Sequence, residues 1–132
     1  MAFLDRFSPQ LLSVLRIVTA LLFMEHGTSK LFGFPPTEMF ANAPPVGSLI
    51  WVAGVLETLG GALLALGLCS RIVAFVLSGE MAIAYFMVHA KQAPFPVQNA
   101  GDAAILFCFV FLYIAAAGPG PWALDRVLFR KR

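Results

Sequence analysis

The chain has 132 residues, of which 60% are hydrophobic and 12% are charged. Soluble domains are about one quarter charged, so this composition excludes an ordinary soluble protein and indicates one integral membrane domain over residues 1–132. The net charge of +2 provides no basic surface for nucleic acid, and the two cysteines lack the spacing of a disulfide framework or a metal site.

Four apolar segments are long enough to cross a bilayer, and they cover about residues 9–32, 48–68, 71–90 and 100–117. A crossing needs about 20 residues, and its backbone must satisfy its own hydrogen bonds in lipid, which a helix does. Proline-rich or glycine-rich sequence ends three of these segments, and a short turn joins the second to the third. The sequence therefore predicts an all-α fold, a four-helix transmembrane bundle surrounded by the lipid bilayer.

The distribution of Lys and Arg predicts the orientation of this bundle. Four crossings place both termini and the turn between the second and third segments on one side of the membrane. That side holds most of the basic residues: Arg6, Arg71, Arg126, Arg130, Lys131 and Arg132. The other side holds Lys30 and Lys91. Because Lys and Arg are enriched in cytoplasmic loops, we expect both termini to be cytoplasmic.

The two outer loops, residues 33–48 and 91–101, are rich in proline. In the first loop Thr37 is expected to cap a short turn that directs Met39 and Phe40 toward the membrane surface. Two interpretations remain open for these loops: a lid over the outer end of the bundle, or simple interfacial connections.

The first apolar segment contains the stretch "LLFMEHGTSKLFG" (21–33), in which three titratable residues interrupt a hydrophobic run. Arg16, Phe23 and Lys30 recur every seven residues and therefore share one helix face. His26 lies at the edge of that face, whereas Glu25 is half a turn away from Arg16. Glu25 is therefore expected to have a different partner or to face the outer interface.

The other apolar segments carry acids of their own. Glu57 and Glu80 lie near the bilayer midplane, and Asp102 lies at the start of the last segment. Gly54 and Gly61 share a helix stripe with Glu57, which would allow a neighbouring helix to approach it closely. A charge at the bilayer centre costs about 2.5–3.5 kcal/mol, so these groups should face one another or a watery cavity.

These residues form two candidate groups. The candidates for ligand binding are His26, Lys30, Glu57, Glu80 and Phe23. The candidates for structural ion pairing are Arg16, Glu25 and Asp102. A set of ion pairs that only fixes the helix register would explain the same residues, so both interpretations stay open. The sequence assigns no catalytic residue.

Several motifs together resemble the DoxX family. They are the segment "RIVTALLFMEHGTSKLFG" (16–33), the Glu-x-x-Gly-Gly motif that begins at Glu57 and precedes a Gly-Leu-x-x-Arg turn, and the final "GPG" (118–120). The family's Asn-Gly-Gly-Glu is here Asn99-Ala100-Gly101-Asp102, with a shorter acid. The resemblance implies a four-helix protein of the bacterial inner membrane. The family takes its name from the small subunit of a thiosulfate:quinone oxidoreductase, and other members resemble partners of oxidoreductases in thiol and oxidative-stress defence.

Three functional hypotheses follow. The first is the membrane subunit of a quinone-linked oxidoreductase system, in which quinone is the cofactor and the carboxyl and imidazole groups move protons. The chain has no GxGxxG motif and no cysteines spaced for an iron–sulfur cluster, so a partner subunit is expected to supply the electrons. The alternatives are a membrane scaffold for a soluble oxidoreductase, or a proton or small-solute transporter, which would need a homo-oligomer because four helices leave little room.

Overall fold

A computed structural model describes residues 2–129, which contain helices and no strand. The all-α class is therefore confirmed for this part of the chain; Arg130, Lys131 and Arg132 lie outside the described residues. The helices are α1 (Ala2–Asp5), α2 (Ser8–Phe32), α3 (Leu49–Leu66), α4 (Ser70–Ala84), α5 (Pro96–Asn99), α6 (Asp102–Ala117) and α7 (Leu124–Leu128). A 3-10 turn covers Glu38–Phe40, and α4 continues directly into a π-helical segment, Tyr85–His89.

Three of these helices are long and apolar enough to cross a membrane. They are α2 with 25 residues, α3 with 18, and the continuous helix Ser70–His89 with 20. The apolar helix α6 has 16 residues and is shorter than a typical crossing. The large hydrophobic side chains of all four point mostly outward and are exposed, as expected for surfaces that contact lipid.

Local sequence explains where the two longest helices begin and end. Pro9 lies in the first turn of α2, where a missing backbone N–H costs no hydrogen bond. The helix ends at Gly33, whose φ of 65° is the left-handed conformation that favours glycine. The Oγ of Ser48 caps α3 by accepting a hydrogen bond from the amide of Trp51. Gly67, with a φ of 74°, ends α3 in the same way as Gly33 ends α2.

Helices α2 and α3 pack antiparallel with their backbones in close contact. A Cβ atom on Gly27 would lie 2.6 Å from the backbone nitrogen of Thr58 and 2.7 Å from the carbonyl oxygen of Gly54. A Cβ on Gly61 would lie 3.1 Å from the carbonyl oxygen of Ala20. The prediction that the glycines beside Glu57 admit a neighbouring helix is confirmed, because only residues without side chains fit at these contacts.

The other long helices complete a four-membered ring in the order α2, α3, α4, α6. Helix α4 packs mainly against α6, where the Oγ of Ser78 donates a hydrogen bond of 2.8 Å to the carbonyl of Cys108. Helix α2 approaches α6 less closely and contacts it through aromatic rings, with Phe23 and Phe111 centroids 4.8 Å apart. The core inside the ring is apolar and includes Phe23, Leu64, Leu77, Phe111 and Ile114.

Arg16 joins three parts of the chain at the end of the bundle that carries both termini. Its side chain is fully buried, and among residues 2–129 the acceptors of its guanidinium are all backbone carbonyls. The acceptors are Leu64 and Ala65 at the end of α3, and Pro119 and Trp122 in the segment after α6. Arg16 was a candidate for ion pairing, and its guanidinium has no carboxylate within 4 Å among residues 2–129. The last carbonyls of a helix have no donor within the helix, so those of α3 are free to bind the guanidinium.

Asp125 stabilises the same end of the bundle. Its carboxylate accepts hydrogen bonds from the amides of Cys69 and Ser70, at 2.7 and 2.8 Å, and its own amide donates to the carbonyl of Gly67. Desolvation by itself favours the neutral acid, but the hydrogen bonds from Ser70 and Cys69 and the charge of Arg16 hold the pKa of Asp125 below its ordinary value. The carboxylate therefore remains charged at neutral pH and holds α7 against the turn between α3 and α4.

We expect Arg16→Leu to lower the free energy of unfolding by about 3 kcal/mol or more, because it leaves several buried carbonyls without a donor. Arg16→Lys should restore little of this loss, since one ammonium cannot reach the carbonyls of both segments as a planar guanidinium does. Thermal or denaturant unfolding in mild detergent measures both. Arg6→Leu is the matched control, because Arg6 is exposed. Unfolding of Arg16→Lys indistinguishable from that of the unsubstituted protein would contradict the role of the guanidinium.

Candidate functional site

The centre of the candidate site is an ion pair between α2 and α3. The Nζ of Lys30 lies 2.6 Å from each carboxylate oxygen of Glu57, and Glu57 is 2% exposed. The side chain of Lys30 is 14% exposed, because its ammonium turns inward between the helices. The close contact of the two backbones at Gly27 and Gly54 brings the two charged groups within hydrogen-bond distance. Such a pair keeps both charges in the membrane at a lower cost than two separate charges.

Glu80 brings a second carboxyl group to this pair. It is close enough to Glu57 and to Lys30 for their charges to interact with it. Both of its carboxyl oxygens are buried and have no hydrogen-bond partner among residues 2–129. A buried polar group without a partner is costly, and in native proteins it calls for a specific explanation such as a bound molecule or a catalytic role. The cluster of Lys30, Glu57 and Glu80 therefore contains one ammonium and two carboxyl groups.

The first outer loop covers the outer side of this cluster. The Nζ of Lys30 lies 5.6 Å from the ring centroid of Phe40, a cation–π distance. The hydroxyl groups of Ser29 and Thr37 lie 3.2 Å apart and join the loop to α2. Thr37 was predicted to cap the short turn at Glu38–Phe40, but its side chain makes no capping hydrogen bond there and binds Ser29 instead. These two contacts hold the loop against α2 and beside Lys30.

A cleft of about 130 Å³ lies between α2 and this loop, lined by Glu25, His26, Ser29, Pro35, Thr37 and Phe40. His26 is exposed, and its ring meets the ring of Phe107 edge-on with centroids 5.9 Å apart. It lies close enough to Glu57 for their charges to interact. Phe40 therefore lines the cleft that contains the imidazole and also lies beside the ammonium of the buried cluster.

The remaining predicted site residues lie elsewhere. Phe23 was a candidate for contact with a ligand, but it is 1% exposed and packs against Phe107 and Phe111 in the core. Glu25 and Asp102 were candidates for ion pairing, and neither has a basic partner within 4 Å among the described residues. Glu25 faces the cleft, as its offset from Arg16 allowed. Asp102 is exposed in the first turn of α6, where the helix dipole favours an acid.

Two contacts that the structure shows were not predicted from the sequence. The contact of Phe40 with Lys30 was not predicted, although the loop was expected to contain a short turn at this position. The hydrogen bonds from the amides of Cys69 and Ser70 to the carboxylate of Asp125 were also not predicted. Its signal is visible in retrospect, because Asp125 follows the proline-rich segment that returns the chain to the turn after α3.

The helices and their buried acid–base cluster define a class, the small multi-pass membrane proteins with ionisable groups inside the bundle. The chain belongs to the DoxX family, whose model matches residues 11–90. It is a multi-pass protein of the bacterial inner membrane. This localisation follows from the family, from the three apolar helices and from a relative that is named an inner membrane protein.

Three relatives extend the comparison over nearly the whole chain. An uncharacterised protein of Haemophilus influenzae is 42% identical over 131 residues, which cover 97% of this chain and 98% of the relative. The inner membrane protein YqjF of Escherichia coli is 28% identical and covers 89% of this chain and 92% of its own length. CatD of Bacillus subtilis, which is provisionally named an oxidoreductase, is 30% identical over 118 residues. These residues cover 89% of this chain and 86% of CatD. No solved structure matches the chain.

We expect Lys30 and Glu57 to be energetically coupled by about 2 kcal/mol, within the range found for contacting charged residues. Lys30→Met should destabilise the protein, because it leaves a carboxylate buried without its cation. Adding Glu57→Gln to Lys30→Met should recover most of the loss. Unfolding in mild detergent of the two single variants and the double variant gives the coupling, and Lys91→Met, at an exposed lysine of the same end, is the control. Strictly additive losses would show that the pair is not formed.

Proposed function

We propose that this protein is the membrane subunit of a quinone-linked oxidoreductase system, and that the cluster of Lys30, Glu57 and Glu80 holds a proton for it. The observation that carries this proposal is the pair of buried carboxyl oxygens of Glu80 without a hydrogen-bond partner among residues 2–129. The provisional naming of CatD as an oxidoreductase supports the same class of function. A partner subunit supplies the electrons, and the role in redox or thiol stress follows from the resemblance to the family.

The charges of the cluster suit proton exchange. Lys30 is committed to Glu57 through both carboxylate oxygens, so this pair is electrically balanced. Glu80 is the additional acid, and a proton on its carboxyl balances the charge of the whole cluster. Loss or gain of that one proton changes the charge of the site by one unit without breaking the ion pair. This is the property that a residue needs in order to accept or donate protons inside a membrane.

The residues present fit a quinone, because Glu80 lacks a hydrogen-bond partner among residues 2–129 and His26 is accessible in the adjacent cleft. When bound, a quinone supplies electron transfer coupled to proton transfer. His26 would donate a hydrogen bond to a carbonyl of the head group, and Glu80 would hold the exchanged proton. A cleft of about 130 Å³ is smaller than the roughly 300 Å³ of a typical small-molecule site, so it accepts a head group only and leaves an isoprenoid tail in the bilayer.

Four crossings with cytoplasmic termini are part of this proposal. Helix α6 is about 24 Å long at 1.5 Å per residue, against a hydrocarbon core of about 30 Å. It nevertheless runs antiparallel along α4, with contacts from Arg71 to the carbonyls of Ala115 and Ala116 at one end and from Ser78 to Cys108 farther along. Its packing beside a helix long enough to cross supports a fourth crossing.

The orientation is supported by the positions of the exposed cations. Arg6, Arg71 and Arg126 are exposed at the end where α3 joins α4. At the opposite end Lys91 is exposed, and Lys30 pairs with Glu57. The positive-inside rule then places the end with Arg71 in the cytoplasm. It places the cleft with His26 and the Phe40 loop on the outer side of the inner membrane.

Cysteine labelling tests this orientation. In a background carrying Cys69→Ser and Cys108→Ser, a membrane-impermeant maleimide applied to spheroplasts should label Met39→Cys and leave Arg126→Cys unlabelled. Met39 is 82% exposed and Arg126 is also exposed, so both thiols are reachable from their own side. Labelling of Arg126→Cys after the membrane is permeabilised is the control for reactivity. Labelling of Arg126→Cys in intact spheroplasts, with Met39→Cys protected, would reverse the orientation.

Measurement of bound quinone tests the function. We expect quinone to copurify with the protein in mild detergent, quantified by extraction and mass spectrometry. Titration of a short-tailed quinone should give an affinity about tenfold weaker for His26→Ala, the effect of one lost hydrogen bond. Glu80→Gln should abolish the proton uptake or release that accompanies binding of reduced or oxidised quinone. Glu38→Gln, in the exposed turn of the outer loop, is the control.

The alternatives give different results in the same experiments. Absence of quinone together with copurification of a soluble oxidoreductase would contradict the proposal and support the scaffold. Proton or solute flux in proteoliposomes without any oxidoreductase partner would support a transporter. Quinone affinities equal in His26→Ala and in the unsubstituted protein would remove His26 from the proposed site.

A further inference from the structure

A large groove lies at the end of the bundle opposite the candidate site. It has a volume of about 1280 Å³ and lies between the start of α2, the start of α4, the end of α6 and α7. The residues that line it include Arg71, Ile72, Asp125, Arg126, Val127 and Phe129. The quinone-linked proposal assigns no chemistry to any of them. The volume is about ten times that of the outer cleft and exceeds what a single small anion requires.

The lining combines two cations with apolar side chains. Arg71 and Arg126 are exposed, and neither has a carboxylate partner within 4 Å among residues 2–129. The apolar part is formed by Ile72, Val127 and Phe129, which are 72%, 73% and 66% exposed. The groove therefore presents positive charge beside a hydrophobic surface at one end of membrane-spanning helices.

Asp125 keeps its negative charge, so the ionised side chains of the lining, Arg71, Arg126 and Asp125, sum to one net positive charge. The Asp125 carboxylate binds backbone amides and not the two arginines. Its two oxygens accept hydrogen bonds from the amides of Cys69 and Ser70. Arg71 is positioned as well: one of its terminal nitrogens donates to the carbonyls of Ala115 and Ala116 at the end of α6. The second terminal nitrogen donates to the carbonyl of Ala117 at 3.5 Å. Since a guanidinium has five N–H groups in a fixed plane, the Nε–H and one N–H of the second terminal nitrogen remain for a ligand.

We propose that this groove binds an anionic phospholipid, with its phosphate between Arg71 and Arg126 and its acyl chains along Ile72, Val127 and Phe129. The positive charge of the two arginines favours an anionic ligand. The apolar surface beside them favours a ligand that also has a hydrophobic part. Basic pockets between helices at the membrane surface bind acidic lipid head groups in this way. The lipid would connect α4 to α7 across the groove and so stabilise the end of the bundle that Arg16 and Asp125 hold together.

Thermal unfolding with defined lipids tests the proposal. Addition of phosphatidylglycerol to the protein in mild detergent should raise the unfolding temperature in a saturable way, and phosphatidylcholine with the same acyl chains should not. Arg126→Gln should weaken the apparent phosphatidylglycerol affinity about fivefold, the effect expected for one basic residue near an anionic head group. Native mass spectrometry of the lipid-bound protein measures the same difference independently of unfolding.

Control variants distinguish lipid binding in the groove from a loss of folding and from a general effect of positive charge. Arg71→Gln could unfold the end of α6, so Arg71→Lys, which keeps the charge and loses the planar fork, is the second variant; we expect it to weaken lipid binding while the protein remains folded. Arg6→Gln, at an exposed arginine outside the groove, should bind as the unsubstituted protein does. Equal stabilisation by phosphatidylcholine, equal stabilisation by inorganic phosphate, or unchanged affinity in Arg126→Gln would each overturn the proposal.

Discussion

The hydrogen bonds of one buried guanidinium determine how the ends of this bundle meet. Arg16 lies on α2, but its acceptors are the last carbonyls of α3 and the carbonyls of the segment that follows α6. These carbonyls pack against the fully buried guanidinium, so the protein itself supplies their donor. An arginine serves this purpose better than a lysine, because it presents several donors in a fixed plane and stays charged. The position of the other helices near this end depends on that one side chain.

A second interaction, at the opposite end, has a different character. Lys30 and Glu57 form a pair with opposite charges, and Glu80 remains beside it without a hydrogen-bond partner among the described residues. Carbonyls already accept hydrogen bonds from most N–H groups of the Arg16 guanidinium, so few donors remain for a ligand. The outer cluster is incomplete by comparison, and the outer loop with Phe40 covers it only from one side. The hydrogen bonds of Arg16 that stabilise the bundle and the ionisable groups that we propose exchange a proton therefore lie at opposite ends of the same four helices.

The sequence predicted much of the fold because the relevant signals are local. Apolar length, proline-rich breaks and glycine at the ends of α2 and α3 lead to helices with the observed bounds, and the spacing of Gly54 and Gly61 leads to the α2–α3 contact. The sequence also selected residues that the structure brings together in the outer cluster, namely Lys30, Glu57 and Glu80, because charges are rare within apolar segments.

The residues that contact each of these side chains could not be predicted in the same way, since those contacts depend on how the helices are rotated and on loops distant in the chain. Arg16 was assigned a carboxylate because acids are the usual partners of buried arginines, yet carbonyls at the end of a neighbouring helix satisfy it equally well. Phe23 was assigned to a ligand because it shares a face with Arg16 and Lys30, and that face is closed at this depth by Phe107 and Phe111. The covering of Lys30 by Phe40 depends on a loop conformation that no periodicity encodes.

The glycine contact between α2 and α3 has a consequence for motion. Two helices whose backbones touch cannot slide or rotate against each other without collisions, so α2 and α3 move as one rigid pair. Helices α4 and α6 form the second pair, and the short turn around Gly67 joins the two pairs. Arg16 holds the pairs together at that end, while the far end of α2 meets α6 through aromatic rings, which can turn in place. Any opening of the bundle toward the bilayer therefore begins at the seam between His26 and Phe107.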